Sequence, residues 1–186
     1  PPQGIENAFL ITKSLSGDMR LNVRLVAEDT EGSIWLRVEP YNFKGNSQKY
    51  CWEFKRKSGE VNLDFRIDSP KLWYPNGMGK QPLYLATVDL VSGNRVLDRE
   101  KVIFGVRTVD MKPLPGGPSE YKYNWTFVIN GKPVFVKGAG WCMMDALLDF
   151  TKEKYARFLT VARDQHIQML RAWGGGLPET DEFYEL

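Results

Sequence analysis

The fold of this chain is decided by the stretch IQMLRAWGGG at residues 167–176. Its apolar start predicts a buried strand, and its end sets Arg171 and Trp173 beside a flexible run of three glycines. In barrels of alternating strands and helices, functional residues stand at the carboxyl ends of the strands. Such a barrel needs about 250 residues, whereas ten residues follow Gly176. We therefore expect the chain to be the front part of a larger protein.

The residues on either side of this stretch predict two helices. Thr151 can cap a helix that extends through Arg163, because apolar residues recur at helical spacing on one face: Tyr155, Phe158, Leu159 and Ala162. Residues 178–186 predict the start of a second helix, with Asp181 and Glu182 near its positive end.

A hairpin and a second strand are predicted before the first helix. Residues 125–129 and 134–137 flank Asn130-Gly131, a dipeptide whose tolerance of positive φ favours a tight hairpin turn. The strand at 134–137, the helix and the strand at 167–173 follow one another in the order of a parallel crossover unit.

The first part of the chain alternates apolar and polar side chains with the period of half-buried strands. Leu21, Val23 and Leu25 show this alternation, and it recurs in six further segments: 9–15, 34–38, 50–54, 61–67, 83–91 and 102–109. Turn residues separate these segments. Seven short strands with this spacing predict an antiparallel sandwich of immunoglobulin-like type, without the disulfide bond of antibody domains.

A domain boundary is predicted at KPLPGGP, residues 112–118. Proline lacks an amide donor and glycine costs backbone entropy, so this stretch does not suit the interior of a sheet or helix. We expect a β-sandwich domain at 1–110, a linker at 111–118 and the N-terminal part of a (β/α)8 catalytic barrel at 119–186. The expected fold class is mainly β: an immunoglobulin-like sandwich followed by the first β/α units of an incomplete barrel.

Composition limits the possible partners. Hydrophobic residues make up 42% of the 186 residues and charged residues 26%, which is typical of a folded domain. A net charge of +2 argues against a nucleic-acid partner. Cys51 and Cys142 lie in different predicted domains without metal-ligand spacing, so neither a disulfide framework nor a zinc site is expected. No run approaches the roughly 18 apolar residues of a membrane span, and the first four residues lack a signal-peptide pattern.

The ends of the two predicted parallel strands meet at one rim. Residues 138–141 and Asp145 follow the first strand, and Arg171 and Trp173 end the second. A guanidinium can orient a carboxylate through its rigid fork of donors. An indole can stack on the apolar face of a sugar ring, and an aspartate can accept hydrogen bonds from sugar hydroxyls. This combination favours a carbohydrate ligand.

Several motifs of the chain resemble glycoside hydrolase family 2, and they occur in that family's order. They are LWYPNGMG at 72–79 with Pro82-Leu83-Tyr84, FGVR at 104–107, FVINGKPVFVKGAGW at 127–141 and MLRAWGGG at 169–176. The Trp-Gly-Gly-Gly form of the second barrel strand resembles the β-mannosidases and the endo-acting mannosylglycoprotein mannosidases. The resemblance covers nearly the whole chain.

The resemblance implies a retaining hydrolase of β-mannosidic or related β-glycosidic bonds, with acid/base and nucleophile glutamates about 5 Å apart. Both glutamates are expected on later barrel strands beyond Leu186, so this fragment alone would be inactive. By position, Arg171 resembles the arginine that orients the nucleophile. Trp173 and Asp145 resemble sugar-binding residues, and Trp141 resembles the wall of a subsite. No cofactor or metal is implied.

The implied partners are a carbohydrate substrate and the remaining barrel of the same polypeptide, without nucleic acid or membrane. The family resemblance favours a secreted, periplasmic or lysosomal-type location over the cytoplasm. Two other functions remain open: a non-catalytic carbohydrate-binding module and a purely structural spacer. Trp52, Trp73 and Tyr74 are candidates for an exposed binding platform, although aromatic residues in small sandwiches more often fill the core.

Three other features are interpreted as structural. Glu179, Glu182 and Glu185 fit the solvated start of a helix and are not assigned a catalytic role. His166 lies where helix passes to strand, which favours capping of the helix end. The three glycines lack the spacing of nucleotide-binding loops, so they do not predict a phosphate site.

Overall fold

The computed structural model describes residues 4–26, 31–55, 59–114 and 125–186. The chain divides into two units, each assembled from separate stretches of sequence. The first contains Pro1–Trp73, Lys80–Asp110 and Val128–Lys132, and the second contains Tyr74–Gly79, Met111–Phe127 and Pro133–Leu186.

Within the described residues, seven antiparallel strands build the first unit. They are β1 (Ile5–Thr12), β2 (Asp18–Leu25), β3 (Glu31–Pro40), β4 (Gln48–Lys55), β5 (Glu60–Arg66), β6 (Tyr84–Ser92) and β7 (Arg95–Phe104). One sheet has the order β1-β2-β5 and the other the order β4-β3-β6-β7. The predicted mainly-β sandwich is therefore confirmed.

The core of this unit lies where alternate side chains of β2, β3 and β6 face inward. Ten of them are at most 3% exposed: Met19, Leu21, Val23, Leu25, Ile34, Leu36, Val38, Ala86, Val88 and Leu90. Burying apolar surface contributes about 25 cal/mol per Å², so these side chains are the main source of stability. At one edge, the Ile5 N–H donates to Asp98 Oδ2 at 2.8 Å and ties β1 to β7.

The last sandwich strand differs from the predicted segment 102–109. β7 begins at Arg95, whose following charged run, 98–101, lacks the apolar alternation on which the prediction relied. It ends at Phe104 because the next residue, Gly105, lies against an aromatic side chain. A Cβ atom at Gly105 would come within 2.8 Å of the Trp73 side chain, so the chain leaves the sheet at a position that only glycine fits.

Seven further elements follow in the chain. They are β8 (Val109–Pro113), β9 (Trp125–Ile129), β10 (Lys132–Val134), β11 (Gly138–Trp141), α1 (Lys152–Asp164), β12 (Met169–Ala172) and α2 (Asp181–Glu185). β8, β9 and β10 form a small sheet in the order β10-β9-β8. The predicted linker at 111–118 thus begins with strand residues. Pro113 ends β8, and residues 115–118 lie outside the described residues.

The predicted hairpin between β9 and β10 is confirmed, and its turn does more than reverse the chain. Asn130 and Gly131 are both left-handed, with φ of 49° and 76°, as a two-residue turn of this type requires. Asn130 is also buried. Its Oδ1 accepts from the Thr108 N–H at 3.0 Å, and its Nδ2 donates to the Trp73 carbonyl at 2.9 Å. This side chain therefore joins three segments of the first unit.

The predicted crossover is present, but with a different first strand. β12 pairs in parallel with β11, Gly138–Trp141, rather than with the expected segment 134–137. Residues 138–141, which were expected to follow the first strand, form it instead. Thr151 caps α1 as predicted, since its side chain accepts from the Lys154 N–H at 3.3 Å.

The end of α1 is capped by backbone groups. His166 has a left-handed φ of 61°, and its N–H donates to the Arg163 carbonyl at 2.9 Å. The predicted capping role of His166 is thus fulfilled by its main chain.

Candidate functional site

The parallel pair brings the two predicted rim segments together within the second unit. Trp141 and Ala172 are the last paired residues of β11 and β12, and the Trp173 N–H continues the ladder to the Trp141 carbonyl at 2.9 Å. The residues that follow both strands therefore start from the same edge.

Arg171 is exposed beside open space. It lies opposite Gly140 in the register, and a Cβ atom at Gly140 would meet no atom within 4 Å. Among the described residues, no side chain forms an ion pair or hydrogen bond with the Arg171 guanidinium. The predicted carboxylate partner is thus not among these residues, and orientation of a nucleophile stays a prediction.

Trp173 lies over the glycines that follow it. Its side chain is 53% exposed. A Cβ atom at Gly175 would come within 2.6 Å of the indole Cζ2, and the Gly176 N–H donates to the Trp173 carbonyl at 3.2 Å. Because Gly175 has no side chain, the indole ring can pack directly against its backbone. The glycine run shapes a tryptophan surface instead of a phosphate cradle.

Asp145 is held by helix α1. Its Oδ2 accepts from Lys154 Nζ at 2.7 Å, and its Oδ1 accepts from the Leu147 N–H at 2.8 Å. The Lys154 hydrogen bond is the main reason why the pKa of this carboxyl lies below its ordinary value, and the Leu147 N–H adds to the effect. Lys154 also contacts Asp149 at 2.6 Å. Asp145 is thus an oriented, ionised hydrogen-bond acceptor after β11.

Trp141 packs among other aromatic side chains, and its expected place on a subsite wall stays a prediction. It is 8% exposed, and its ring contacts Phe183 at a centroid distance of 5.0 Å. Its indole N–H donates to Glu179 Oε1 at 2.8 Å. The ring also stacks with Tyr155 at a centroid distance of 6.4 Å, so it lies among side chains of α1 and α2.

Glu179 was missed as an organising residue because it was interpreted as part of a solvated helix start. Its Oε2 accepts from the hydroxyl of the fully buried Tyr155 at 2.6 Å, while Oε1 accepts from Trp141. Burial, followed by this carboxylate, raises the pKa of Tyr155. A signal was available: Tyr155 brings a polar hydroxyl to a predicted buried position, and a buried donor needs an acceptor.

The motif at 72–79 also has a structural role in the second unit. Gly77 has a φ of +74°, and the Met78 N–H donates to the Pro75 carbonyl at 3.0 Å, which defines a tight turn. The turn presents Asn76, whose Nδ2 donates to the carbonyls of Arg163 at 2.8 Å and Ile167 at 3.3 Å. Asn76 therefore fixes the path from the end of α1 into β12.

Two of the three aromatic candidates for a binding platform, Trp52 and Trp73, pack against neighbouring side chains. Trp52 is partly buried against the core and stacks on Tyr50 at 5.9 Å. The Arg107 guanidinium covers the Trp73 ring at 4.4 Å. Packing thus accounts for these side chains.

The described residues lack two other features that would indicate a function. They contain no group of three or more side chains suited to holding a metal ion. They also contain no helix both long and apolar enough to cross a bilayer.

The described fold defines a two-part class of protein: an antiparallel sandwich with a parallel strand–helix–strand unit. The chain belongs to the glycosyl hydrolases family 2, whose sequence model matches residues 4–107. The resemblance inferred from the motifs is therefore confirmed at the level of the family.

Several relatives are β-mannosidases by name. The chain is 34% identical over 182 residues to Beta-mannosidase B of Emericella nidulans, covering 90% of this chain and 21% of that protein. It is 37% identical over 116 residues to a Mannosylglycoprotein endo-beta-mannosidase of Lilium longiflorum, covering 62% and 12%. The crystal structure of Beta-D-Mannosidase from Dictyoglomus thermophilum matches with a TM-score of 0.76 and 32% identity, covering 97% and 22%. The chain spans about a fifth or less of these relatives' length.

Proposed function

We propose that this chain is part of a retaining glycoside hydrolase that cleaves β-mannosidic or closely related β-glycosidic bonds. We further propose that β11, α1 and β12 begin its (β/α)8 barrel, after a sandwich domain that ends near residue 110. One observation carries the proposal: β11 and β12 are parallel, and their common edge bears Arg171, Trp173 and Asp145 in a chain of this family.

Each of these three residues has a distinct role in the proposal. The exposed Trp173 ring stacks on the apolar face of a sugar. Asp145, ionised and oriented by Lys154, accepts hydrogen bonds from sugar hydroxyls. Arg171, free of a described partner, binds the carboxylate of the nucleophile and keeps it ionised. The acid/base and nucleophile glutamates belong to later barrel strands, about 5 Å apart, so the 186 residues alone cleave nothing.

The test is hydrolysis by the full polypeptide that contains this sequence. We expect it to release p-nitrophenol from the aryl β-mannoside faster than from the β-glucosaminide and the β-galactoside, with retention followed by NMR of the product anomer. Arg171→Gln is expected to lower kcat by at least about a hundredfold, since it removes charge stabilisation at the reacting centre. Inversion, or no β-glycoside hydrolysis, would overturn the proposal.

A second measurement separates this proposal from a structural spacer. The chain is titrated calorimetrically with mannose oligosaccharides, before and after Trp173→Ala. We expect weak binding that the substitution removes, because the indole supplies the stacking surface. Heat that persists in the Trp173→Ala variant would place sugar binding elsewhere and contradict the assigned role.

A further inference from the structure

The outer face of the four-stranded sheet carries a row of cations. Cross-strand pairing sets Lys49 opposite Arg37, and Arg37 opposite Thr87. Thr87 in turn lies opposite Lys101. These four residues occupy the positions that alternation turns away from the core. We call them the cationic row, and its two lysines and its arginine are all exposed.

Cations on the other sheet form ion pairs with carboxylates on the neighbouring strand. There Arg20 lies 2.8 Å from Asp64, and Arg66 lies 3.1 Å from Asp18, directly across the strands. In the cationic row, the described ion pairs include one contact of 3.7 Å, from Arg37 to Glu39 on its own strand, and none to the lysines. Like charges side by side destabilise a sheet. Arg37 and Lys49 are such a pair, and the contact with Glu39 compensates it only in part, which points to a binding role.

Thr87 lies in the cationic row between Arg37 and Lys101. The residue is 4% exposed, and its hydroxyl has no hydrogen-bond partner among the described residues. Arginine and lysine carry donors only, so neither neighbour can accept the hydroxyl proton. The missing group is an acceptor. The Thr87 hydroxyl oxygen is itself covered by its neighbours, so an anionic oxygen between Arg37 and Lys101 would accept from the two cations.

An exposed indole stands beside the cationic row. Trp35 occupies the next outward position on β3, is 51% exposed and donates its N–H to Ser33 Oγ at 2.9 Å. Its neighbour Asp89 is already engaged by Arg99 through bonds of 2.6 and 2.8 Å, so it does not neutralise the row. The indole face is free for an apolar ring surface.

We propose that the cationic row and Trp35 form a non-catalytic binding site for an acidic polysaccharide. Carboxylate groups of the glycan accept from Arg37, Lys49 and Lys101, while a neighbouring pyranose ring stacks on Trp35. An acidic peptide would supply the carboxylates but no rigid apolar ring for the indole, so the glycan is the better fit. The site lies within the first unit and does not depend on the proposed cleavage site.

The test is binding of the chain to polygalacturonate, with neutral mannan as the uncharged comparison, followed by calorimetry at several salt concentrations. We expect polygalacturonate to bind, and salt to weaken it. The Arg37→Gln/Lys101→Gln variant is expected to lose about tenfold or more in affinity. Trp35→Ala is expected to lose severalfold at constant charge. Absence of polygalacturonate binding would overturn the proposal, as would poly-glutamate binding of equal affinity.

A charge-matched control separates this site from general attraction. Arg24→Gln/Arg66→Gln removes two cations from the outer face of the other sheet and is expected to change the affinity less than about twofold. An equal loss in both double variants would show that only net charge matters. Thermal melting adds an independent readout, because relief of like-charge crowding should leave the Arg37→Gln/Lys101→Gln variant at least as stable as the native chain. A lower Tm would show that these cations serve the fold.

Discussion

At the scale of single residues, Glu179 holds the aromatic cluster of the second unit together. It satisfies two buried donors, the Tyr155 hydroxyl and the Trp141 indole N–H. Both donors belong to buried side chains, and an unmet buried donor costs about 1–3 kcal/mol. A carboxylate on the loop after β12 thereby joins that loop to β11 and α1.

Removal of this carboxylate should destabilise the second unit. We expect Glu179→Ala to lower its free energy of unfolding by about 2–4 kcal/mol, because both donors then stay buried without partners. Urea denaturation followed by tryptophan fluorescence measures the change. Glu182→Ala, at an exposed position of α2, is the matched control and should stay within about 0.5 kcal/mol of the native chain. Equal effects of the two substitutions would contradict the role of Glu179.

The pair of Asp145 and Lys154 makes a prediction about pH. The pKa of Asp145 is lower in the folded chain than in the unfolded chain, chiefly because Lys154 donates to it. The pair therefore stabilises the fold above the unfolded pKa of about 3.9, and this contribution is lost as pH falls through the lower folded value. Lys154→Met should raise the pKa of Asp145, which carboxyl NMR titration measures. An unchanged pKa would mean that the Leu147 N–H alone lowers it.

The sequence predicted some of these residue roles and not others. Thr151 as a helix cap and Asn130 as a turn residue depend on local backbone geometry, which short motifs encode. The partners of Glu179 come from 24 and 38 positions away. Such a contact becomes visible only when the elements are packed, so local composition suggested solvent instead.

At the scale of elements, the turn at 75–78 controls how α1 passes into β12. Asn76 donates to two carbonyls at that passage, which would otherwise depend on neighbouring main-chain groups. The Asn76 side chain thus caps the end of α1 from a distant part of the sequence.

Loss of this cap should loosen the end of α1. We expect Asn76→Ala to speed amide hydrogen exchange at residues 165–169, by an amount equivalent to about 0.5–1.5 kcal/mol. The exchange at the start of α1, near Thr151, should not change. Asn94→Ala, in the exposed turn between β6 and β7, serves as the control. Uniformly faster exchange along α1 would indicate general destabilisation instead of a lost cap.

Strand prediction succeeded where apolar residues alternate and failed where they do not. β2, β3 and β5 show the period of two clearly, and the structure has strands there. β7 contains a charged run at 98–101 and lies at an edge of its sheet, and β11 contains two glycines. In both, hydrogen bonding to a neighbouring strand defines the element, and that neighbour cannot be deduced from the local sequence.

At the scale of the whole molecule, the sandwich depends on one buried layer. Leu36 is 1% exposed at the centre of β3, between β4 and β6. We expect Leu36→Ala to lower the free energy of unfolding of the first unit by about 2–5 kcal/mol, through lost burial and the cavity left behind. Val96→Ala, which truncates an exposed apolar side chain on β7, should cost much less. Chemical denaturation of both variants checks the difference.

Family membership could be predicted from the sequence, whereas the environment of Arg171 could not. The motifs at 72–79, 104–107 and 127–141 are specific and occur in order, and the family match confirms them at the family level. The partner of an arginine at a strand end depends on which residues surround it in space. Among the described residues, no atom fills the space beside Gly140, which lies opposite Arg171. The hydrolysis experiment therefore tests the role of this arginine.

The strand pairing of β3 and β4 has a practical consequence. It sets the exposed thiol of Cys51 directly opposite Trp35, one strand spacing of about 5 Å away. With the second exposed thiol removed by Cys142→Ser, a maleimide dye would attach at a single point, within contact-quenching range of the indole. A molecule that covers Trp35 would separate the dye from the indole and raise the fluorescence of the dye. A label on Cys51 would therefore report binding at this surface.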